Sequence, residues 1–312
     1  MLSVLFDYTK CDKCGKCISI CCNSKVLEKN EDGFPDYKNV HKCIQCGHCM
    51  AICPKNAITT VDTSKKSKTT YYTEPQSVSI INFDAIQIQQ LLSSTRSNRF
   101  FIKKEIDKES LGMILDAMIR SPSAGNEQNR NFYIFPNRKD IINLEQDMQV
   151  IHKKQSKYFS NPIIKHAYIS VMMKHAKDIY DELGRSFSKE EMKNVLEHDL
   201  SDINNLPDDF FYKASSAAII VTSDTRKKGF HKDFYKADIA IAITHGTIFA
   251  AALGIASCRM GLSEIIFNKD NKLKLKYNIP SHERIDGIIA FGYSNLQWKQ
   301  IPIRGTSKVI WN

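Results

Sequence analysis

The sequence predicts an α+β chain in which a small cysteine-rich domain precedes a larger domain of mixed helices and strands. Nine of the ten cysteines lie within residues 11–53. A stretch rich in Ser, Thr and Lys follows, which is typical of a linker. Helical and strand-like apolar patterns alternate beyond it. We therefore expect a first domain over residues 1–62, a linker over residues 63–79 and a second domain over residues 80–312.

The first domain contains the same cysteine pattern twice. The two runs are Cys11-x2-Cys14-x2-Cys17-x3-Cys21 and Cys43-x2-Cys46-x2-Cys49-x3-Cys53-Pro54. Corresponding cysteines are 32 residues apart, which indicates an internal duplication. A zinc ribbon is the alternative, but it needs only two Cys-x2-Cys pairs for one ion. Thiolates gathered in this way indicate a metal site in a reducing compartment rather than a disulfide scaffold.

Both runs resemble two-cluster bacterial-type ferredoxins, in which the fourth cysteine of each run binds the other cluster. The resemblance implies two 4Fe-4S clusters. One would be held by Cys11, Cys14, Cys17 and Cys53, and the other by Cys21, Cys43, Cys46 and Cys49. Cys22 stands where a proline is usual, so it is either a spare thiol or an alternative ligand to Cys21. A domain of this size is expected to be stable only when it holds its clusters.

Charge and hydropathy favour neither a nucleic-acid-binding nor a membrane protein. The formal net charge is +10, but residues 1–62 carry eight Lys against seven Asp and Glu, so the excess lies in residues 63–312. It is scattered in short Lys pairs, as on a solvated surface. The most apolar stretch, residues 237–256, contains Asp238 and is expected to be a buried helix. The opening "MLSVLF" is too short for a signal peptide, so we expect a cytoplasmic protein with no nucleic-acid or membrane partner.

The second domain has clear helical and strand signals. Apolar spacing predicts helices over residues 84–95 and 107–120, and buried strands over residues 131–135, 217–223 and 285–293. Residues 140–205 are expected to be mostly helical. The thirteen glycines contain no G-x-G, which excludes a Rossmann fingerprint or a P-loop. A redox cofactor would therefore be bound in another way.

Two segments offer groups for such a cofactor. The segment "STRSNRFF" (94–101) gathers Arg96, Ser97 and Arg99 at the end of a helix, where guanidinium groups can bind phosphate or carbonyl oxygens. The segment "SPSAGNEQNRNFYIF" (121–135) is a turn of small residues that runs into a strand. Taken singly, the first segment is more typical of a solvated helix end, and the second is equally typical of a plain loop.

A third segment and the order of all three carry a resemblance. The stretch "AFGYSNLQWKQIPIRGTSKVIWN" (290–312) leaves a strand and runs to Arg304. In this order the segments resemble the nitroreductase family of flavoproteins, with its R-S-x-R element, its P-S-A-x-N-x-Q loop and a basic residue in a C-terminal extension. Residues 211–224 and 237–261 are similar to the second central strand of that family and to its long alanine-rich helix with the glycine loop that follows.

The resemblance implies a mixed sheet flanked by helices, FMN as cofactor, and a homodimer with FMN at the interface. The implied FMN-binding residues are Arg96, Ser97, Arg99, Pro122, Ser123, Ala124, Asn126, Gly261 and Arg304. The first three and Arg304 would hold the phosphate, ribitol and pyrimidine. The loop residues would line the isoalloxazine, partly from the partner subunit, and the Gly261 amide would lie near flavin N5. Small residues in 237–256 favour a helix–helix interface between subunits, although a core helix of one chain explains them too.

The sequence departs from the family at two places. Thr95 stands where a second basic residue is usual, and Asn129-Arg130 follows Gln128 where an aromatic residue is usual. The contacts that those residues make in the family are therefore not expected to be reproduced in the same form.

We expect an FMN-dependent oxidoreductase with no protein group as catalytic acid or base, because the flavin does the chemistry. Asp238, His245 and Cys258 are expected to be structural. The hypothesis is that electrons pass between the two 4Fe-4S clusters and FMN. The acceptor would be a small electron-poor organic substrate such as a nitroaromatic, a nitroimidazole or a quinone, and the donor NADH, NADPH or reduced ferredoxin. A non-enzymatic electron carrier or redox sensor, and a reductive dehalogenase or flavin-fragmenting enzyme on the same fold, are the alternatives.

Overall fold

The structure is a computed structural model, and it describes most of both domains. The described residues are 4–21, 26–60, 84–159, 161, 163, 166, 188, 190, 191, 212–227, 233–296, 298–301 and 309–311. The predicted linker, Cys22, Arg304 and most of the span 160–211 lie outside them. No helix among these residues is long and apolar enough to cross a membrane.

The first domain is built from two antiparallel strand pairs and two short helices. Its elements are β1 (Val4–Phe6), α1 (Lys16–Ser19), β2 (Leu27–Lys29), β3 (Pro35–Tyr37), α2 (His48–Ala51) and β4 (Ile58–Thr60). Strand β1 pairs antiparallel with β4, and β2 pairs antiparallel with β3. Gly15 (φ 73°) precedes α1 and Gly47 (φ 77°) precedes α2, a left-handed conformation that favours glycine. The same turn therefore occurs in both repeats, as the duplicated sequence predicts.

The second domain is centred on an antiparallel sheet with strand order β5-β6-β8-β7. Its elements in chain order are α3 (Ala85–Ser94), α4 (Lys108–Ile119), β5 (Asn131–Phe135), α5 (Arg138–Phe159), β6 (Ala217–Asp224), α6 (Tyr235–Ala252), β7 (Ala256–Arg259), α7 (Gly261–Lys269), α8 (Asn271–Lys276) and β8 (Glu283–Gly292). The predicted strands and the first two predicted helices of this domain are confirmed. Both helices begin at an aspartate, Asp84 or Asp107, whose side chain accepts a backbone N–H of the first turn.

The central strand β6 separates two helical layers. Ile219 and Val221 belong to a core cluster shared with residues of α4 and α6. Ile220 belongs to a second cluster shared with residues of α5 and α7. This alternation follows from the two-residue period of a strand with both faces covered. The result is a helix–sheet–helix sandwich with β6 and β8 at its centre.

Helix α6 is less buried than its sequence predicts. Its inner face packs on α4 and the sheet, with Ile239, Ala242 and Gly246 fully or nearly buried. Its other face, with Ala240, Ile241 and Thr244, is exposed. Within this chain the expected buried helix is therefore buried on one face only, which leaves the outer face for the contact between subunits that its small residues favour. Apolar side chains run all round the helix, so the sequence pattern does not distinguish the inner face from the outer one.

Candidate functional site

The first cysteine cavity combines both cysteine runs. Its lining contains Cys11, Cys14 and Cys17 from the first run and Cys53 from the second. Backbone amides point at the sulfurs: the N–H of Lys13 donates to Cys11 Sγ at 3.5 Å and that of Ala57 to Cys53 Sγ at 3.3 Å. Such N–H···S bonds stabilise the negative charge of thiolate-bound clusters.

The second cavity mirrors the first. Its cysteines are Cys21 from the first run and Cys43, Cys46 and Cys49 from the second. The two cavities thus exchange their fourth cysteine, in the arrangement that the ferredoxin resemblance implies. Four cysteines that line one cavity are the ligand set of a 4Fe-4S cluster. Within the described part of the chain, no three His, Cys, Asp or Glu side chains are grouped to hold a single metal ion.

The thiols of these cavities need a cation to ionise. Burial, together with a smaller effect of the neighbouring Cys43 and Cys46, raises the pKa of Cys49 to about 11. Burial likewise raises the pKa of Cys17. Bound iron supplies the positive charge that holds such thiols as thiolates, so cluster binding and the folding of this domain are coupled.

The Arg96–Arg99 segment lies beside the edge strand β7. Ser97 forms a parallel bridge with Ser257, and the N–H of Asn98 donates to the Ser257 carbonyl at 2.9 Å. Asn98 is buried, and its Oδ1 accepts the N–H of Phe100 at 2.8 Å. The buried Asn98 therefore fixes the turn, while Ser97 and Arg99 on either side are exposed. The Arg96 guanidinium donates to the Thr95 carbonyl at 2.7 Å.

A basic cleft opens next to Arg99. It has a volume of about 370 Å³ and is lined by Arg99, Phe100, Phe101, Ile102, Lys213, Ala214, Asn295 and Leu296. Lys213 (φ 52°) and Ala214 (φ 60°) both adopt the left-handed conformation, which is uncommon outside glycine and concentrates at functional sites. Two cationic side chains and several apolar ones suit a ligand with a flat ring and a phosphate.

Gly261 lies two residues beyond β7, at the first position of α7. Its surroundings are open, because a Cβ atom built there would have no neighbour within 4 Å. A planar ligand can therefore approach the Gly261 backbone. The nearby Cys258 is buried, which raises its pKa, while Arg99 and Lys213 lower it.

The loop that contains Pro122, Ser123, Ala124 and Asn126 is held from two sides. The N–H of Ala124 donates to the Asp238 carboxylate at 3.1 and 3.3 Å, so Asp238 has a structural role, as predicted. The Arg130 guanidinium donates to the carbonyls of Ile119, Ser121 and Pro122 at 2.7, 2.6 and 3.3 Å. Arg130 is buried, and this burial lowers its pKa. Three positions of the loop, Gly125, Asn126 and Gln128, have positive φ.

Asn126 contacts the first domain. Its Nδ2 donates to the carbonyl of Ile44 at 3.0 Å and to that of Gln45 at 2.9 Å. Its Oδ1 accepts from Gln128 Nε2 at 3.1 Å. Ile44 and Gln45 lie between Cys43 and Cys46, so the loop that lines the second cysteine cavity contacts the loop that the family resemblance places at the flavin.

The two halves of the implied flavin site lie at opposite ends of the sheet within one chain. Ser97 pairs with Ser257, which is connected through β8 to the start of β6. Asn129, just after the loop, exchanges hydrogen bonds with Asp224 at the end of β6. Eight strand residues separate these ends, which corresponds to about 20 Å. One chain therefore does not bring Arg96–Arg99 and residues 122–126 together.

Three residues of this region have no signal in the sequence analysis. Asn98 sits inside the recognised Arg96–Arg99 motif, but its buried position decides its role. Lys213 comes to Arg99 from a distant part of the chain. Arg130 was noted only as a departure from the family. Arg304 lies outside the described residues.

Comparisons with known proteins identify the families of the two domains. The family model described as the nitroreductase family matches residues 92–293, more than half of the chain. The model of a 4Fe-4S dicluster domain matches residues 3–54. None of the curated proteins matches the chain.

Solved structures give a similar result. A nitroreductase with bound FMN from Bacteroides fragilis has a TM-score of 0.50 and is 17% identical, with 72% of this chain and 99% of that chain covered. A nitroreductase with bound FMN from Desulfitobacterium hafniense has a TM-score of 0.47 and is 16% identical, with 72% and 97% covered. At this identity the first likeness shows the fold alone, an α+β fold with a sheet flanked by helices, as predicted above. Among the described strands the sheet is antiparallel rather than mixed, because β5, β6, β8 and β7 all pair antiparallel. The chain therefore belongs to the nitroreductase family and carries a 4Fe-4S dicluster domain ahead of it, the fusion that its sequence predicts.

Proposed function

We propose that the protein is an iron–sulfur flavoprotein that reduces small electron-poor organic acceptors. The predicted cofactors, FMN and two 4Fe-4S clusters, agree with both family matches, which support an FMN-dependent oxidoreductase. The observation that carries the proposal is the sharing of eight cysteines between two cavities in a chain whose other domain is a nitroreductase. When bound, the clusters exchange single electrons and FMN converts these into two-electron reduction of an acceptor.

The residues around the basic cleft have distinct tasks in this proposal. Arg99 and Lys213 supply positive charge for the phosphate and ring carbonyls, together with Arg96 and Ser97. The open backbone at Gly261 leaves room for the ring system beside its amide. Arg304 is assigned to the phosphate on the family pattern alone. The apolar wall of Phe100, Phe101 and Leu296 excludes water from the bound ring.

A second copy of the chain completes the site. Because residues 122–126 lie about 20 Å from Arg96–Arg99 in one chain, a flavin that contacts both needs a partner subunit. An exposed apolar surface is available for this contact. Helix α3 has no buried residue and exposes Ile86, Ile88 and Leu92, and it packs beside α6, which exposes Ile241. Such a surface is typical of a subunit interface, so we propose a homodimer.

The acceptors proposed are nitroaromatics, nitroimidazoles and quinones, because the basic cleft is open to solvent and flat acceptors can reach a flavin ring bound in it. The proposed electron donors are reduced ferredoxin, through the dicluster domain, and NAD(P)H, by direct contact with the flavin. The cysteine chemistry places the enzyme in a reducing compartment.

Substitution of one cluster ligand tests the role of the dicluster domain. We expect Cys43→Ala to abolish turnover driven by reduced ferredoxin while FMN stays bound, because the second cluster loses a ligand. The control is Lys38→Ala, which removes an exposed ion pair to Glu28 in the same domain and should leave the rate unchanged. Turnover is measured anaerobically with a nitroaromatic acceptor and normalised to bound FMN. Ferredoxin-driven turnover of Cys43→Ala at the wild-type rate would contradict the proposal.

A further inference from the structure

Asn126 is a direct bridge between the two domains. A single carboxamide donates to two consecutive carbonyls, those of Ile44 and Gln45, at 3.0 and 2.9 Å. Both carbonyls belong to the four-residue segment that begins at Cys43 and ends at Cys46, two of the sulfurs of the second cavity. The bridge therefore reaches the backbone that carries these two cysteines.

Both partners of the bridge are held in uncommon backbone conformations. Asn126 has φ 55° and Gln45 has φ 56°, and left-handed residues of this kind persist where the surrounding contacts determine them. The Asn126 loop is fixed by Asp238 and by the three carbonyl contacts of Arg130. Gln128 also donates its N–H to Ser123 Oγ at 3.1 Å and its Nε2 to Asn126 Oδ1. The side chain of Asn126 is thus held in place before it reaches the first domain.

We propose that Asn126 is a positioning residue that holds the second cluster close to a flavin site. We propose further that the Arg96–Arg99 segment of this flavin site belongs to the other subunit. The inference rests on the proposed function. Loop 122–128 of one copy lines the flavin gripped by Arg96–Arg99 of a second copy, because the two segments lie at opposite ends of a single chain's sheet. The dicluster domain docked on that loop therefore gives its electrons to the flavin that the other copy binds through Arg96–Arg99.

The electron balance of this arrangement is simple. Reduced ferredoxin, the external donor, is oxidised and replaces each electron that leaves the dicluster domain. Two electrons, given one at a time, and protons from solvent complete one reduction of bound FMN. No bond within the protein forms or breaks, so Asn126 acts by position alone.

Two hybrid dimers distinguish electron transfer between subunits from electron transfer within one subunit. In the first hybrid, one copy carries Cys43→Ala and the other carries Arg96→Glu with Arg99→Glu. In the second, one copy carries all three substitutions and the other is wild type. In each hybrid, only one copy keeps Arg96 and Arg99, so the FMN contents of the two hybrids should match. The readout is bleaching of the bound flavin by reduced ferredoxin without acceptor, together with iron and FMN counts.

The predicted results of the two hybrids are opposite. The first hybrid should be bleached, because its bound flavin lies on the loop of the copy whose second cluster is intact. The second should be bleached at least about tenfold more slowly, because its flavin lies on the loop of the copy that lacks this cluster. The reverse order, or equal rates, would overturn the inference while leaving the proposed function in place. Bleaching of the wild-type dimer by NAD(P)H but not by reduced ferredoxin would overturn the inference alone. A wild-type dimer whose flavin neither donor bleaches would overturn the proposed function and the inference together.

The role of Asn126 has its own readout. Asn126→Ala removes both interdomain hydrogen bonds, so backbone hydrogen exchange in residues 43–47 should accelerate about fivefold or more in the holoenzyme. Bleaching by reduced ferredoxin, per bound FMN, should slow in the same variant. Asn271→Ala, which removes an exposed amide at the start of α8, is the matched control. Unchanged exchange and bleaching in Asn126→Ala would overturn the positioning role.

Discussion

Arg130 illustrates how a single residue can replace a family feature. It stands in the stretch after Gln128 where the nitroreductase family usually has an aromatic residue. Its guanidinium donates to three carbonyls around the end of α4 and the start of the loop. A buried arginine is costly unless its donors are satisfied, so this one is tied to that loop conformation. The loop is thus held by hydrogen bonds where an aromatic side chain would act by packing.

Removal of this guanidinium should destabilise the second domain. We expect Arg130→Ala to lower the free energy of unfolding by about 3 kcal/mol, since one buried and two partly buried carbonyls lose a charged donor. Arg226→Ala, which removes a largely exposed ion pair to Asp224, should change stability little. Denaturant unfolding of both variants measures the difference. Equal stabilities would show that Arg130 does not hold the loop.

Residue-scale prediction from sequence succeeds where the chemistry is local. The cysteine spacing predicts two clusters because ligands two or three residues apart necessarily share a cavity. The roles of Asn98 and Lys213 are not predicted. The role of Asn98 depends on its burial, and that of Lys213 depends on its approach to Arg99 from a distant part of the chain. The partner of Asn126 escapes it too, because the sequence does not specify how the two domains meet.

Helices and strands of the second domain were predicted well where apolar periodicity is strong. Strand β6 is buried over seven of its eight residues, and its continuous apolar run is typical of a central strand. The sequence does not show which face of α6 is the outer one, because the run of alanine and isoleucine lacks a polar side. Glycine positions on the α4–α6 pair show which contacts fix their packing.

Two glycine substitutions on this helix pair should have opposite effects. A Cβ at Gly246 of α6 would lie 2.5 Å from Met118 Cγ of α4, so Gly246→Ala should cost about 1–3 kcal/mol by overpacking. A Cβ at Gly112 of α4 would meet nothing within 4 Å, so Gly112→Ala should stabilise the helix by about 0.5–1 kcal/mol. Thermal or denaturant unfolding measures both. A stabilising Gly246→Ala would contradict the close helix contact.

The whole molecule contains two kinds of proposed redox site, the cysteine cavities and the flavin site. The residues of each come from different places in the chain. Each cysteine cavity takes ligands from both runs. The flavin site, as proposed, takes residues from two copies. The sequence predicts both cofactors, since family motifs survive as short local patterns. It does not predict the junction between them, which depends on the docking of one domain on the other.

A charge on the exposed face of α6 should separate the subunits. Ile241→Glu places a carboxylate in an apolar interface, so we expect monomers that bind FMN at least about tenfold more weakly. Ile142→Glu on α5 is the matched control, because Ile142 is similarly exposed on the opposite layer. Sedimentation and FMN titration report the two effects. Monomeric Ile241→Glu with full FMN affinity would mean that one chain builds the site alone.

The most direct test of the central claim is a count of cofactors in protein purified without oxygen. The account predicts about eight iron, eight acid-labile sulfide and one FMN per chain, since two cubane clusters fill the cysteine cavities and one flavin fills each basic cleft. The flavin is released by acid and identified by its fluorescence. Protein that holds zinc in place of iron, or that carries two clusters and no flavin, would contradict the account.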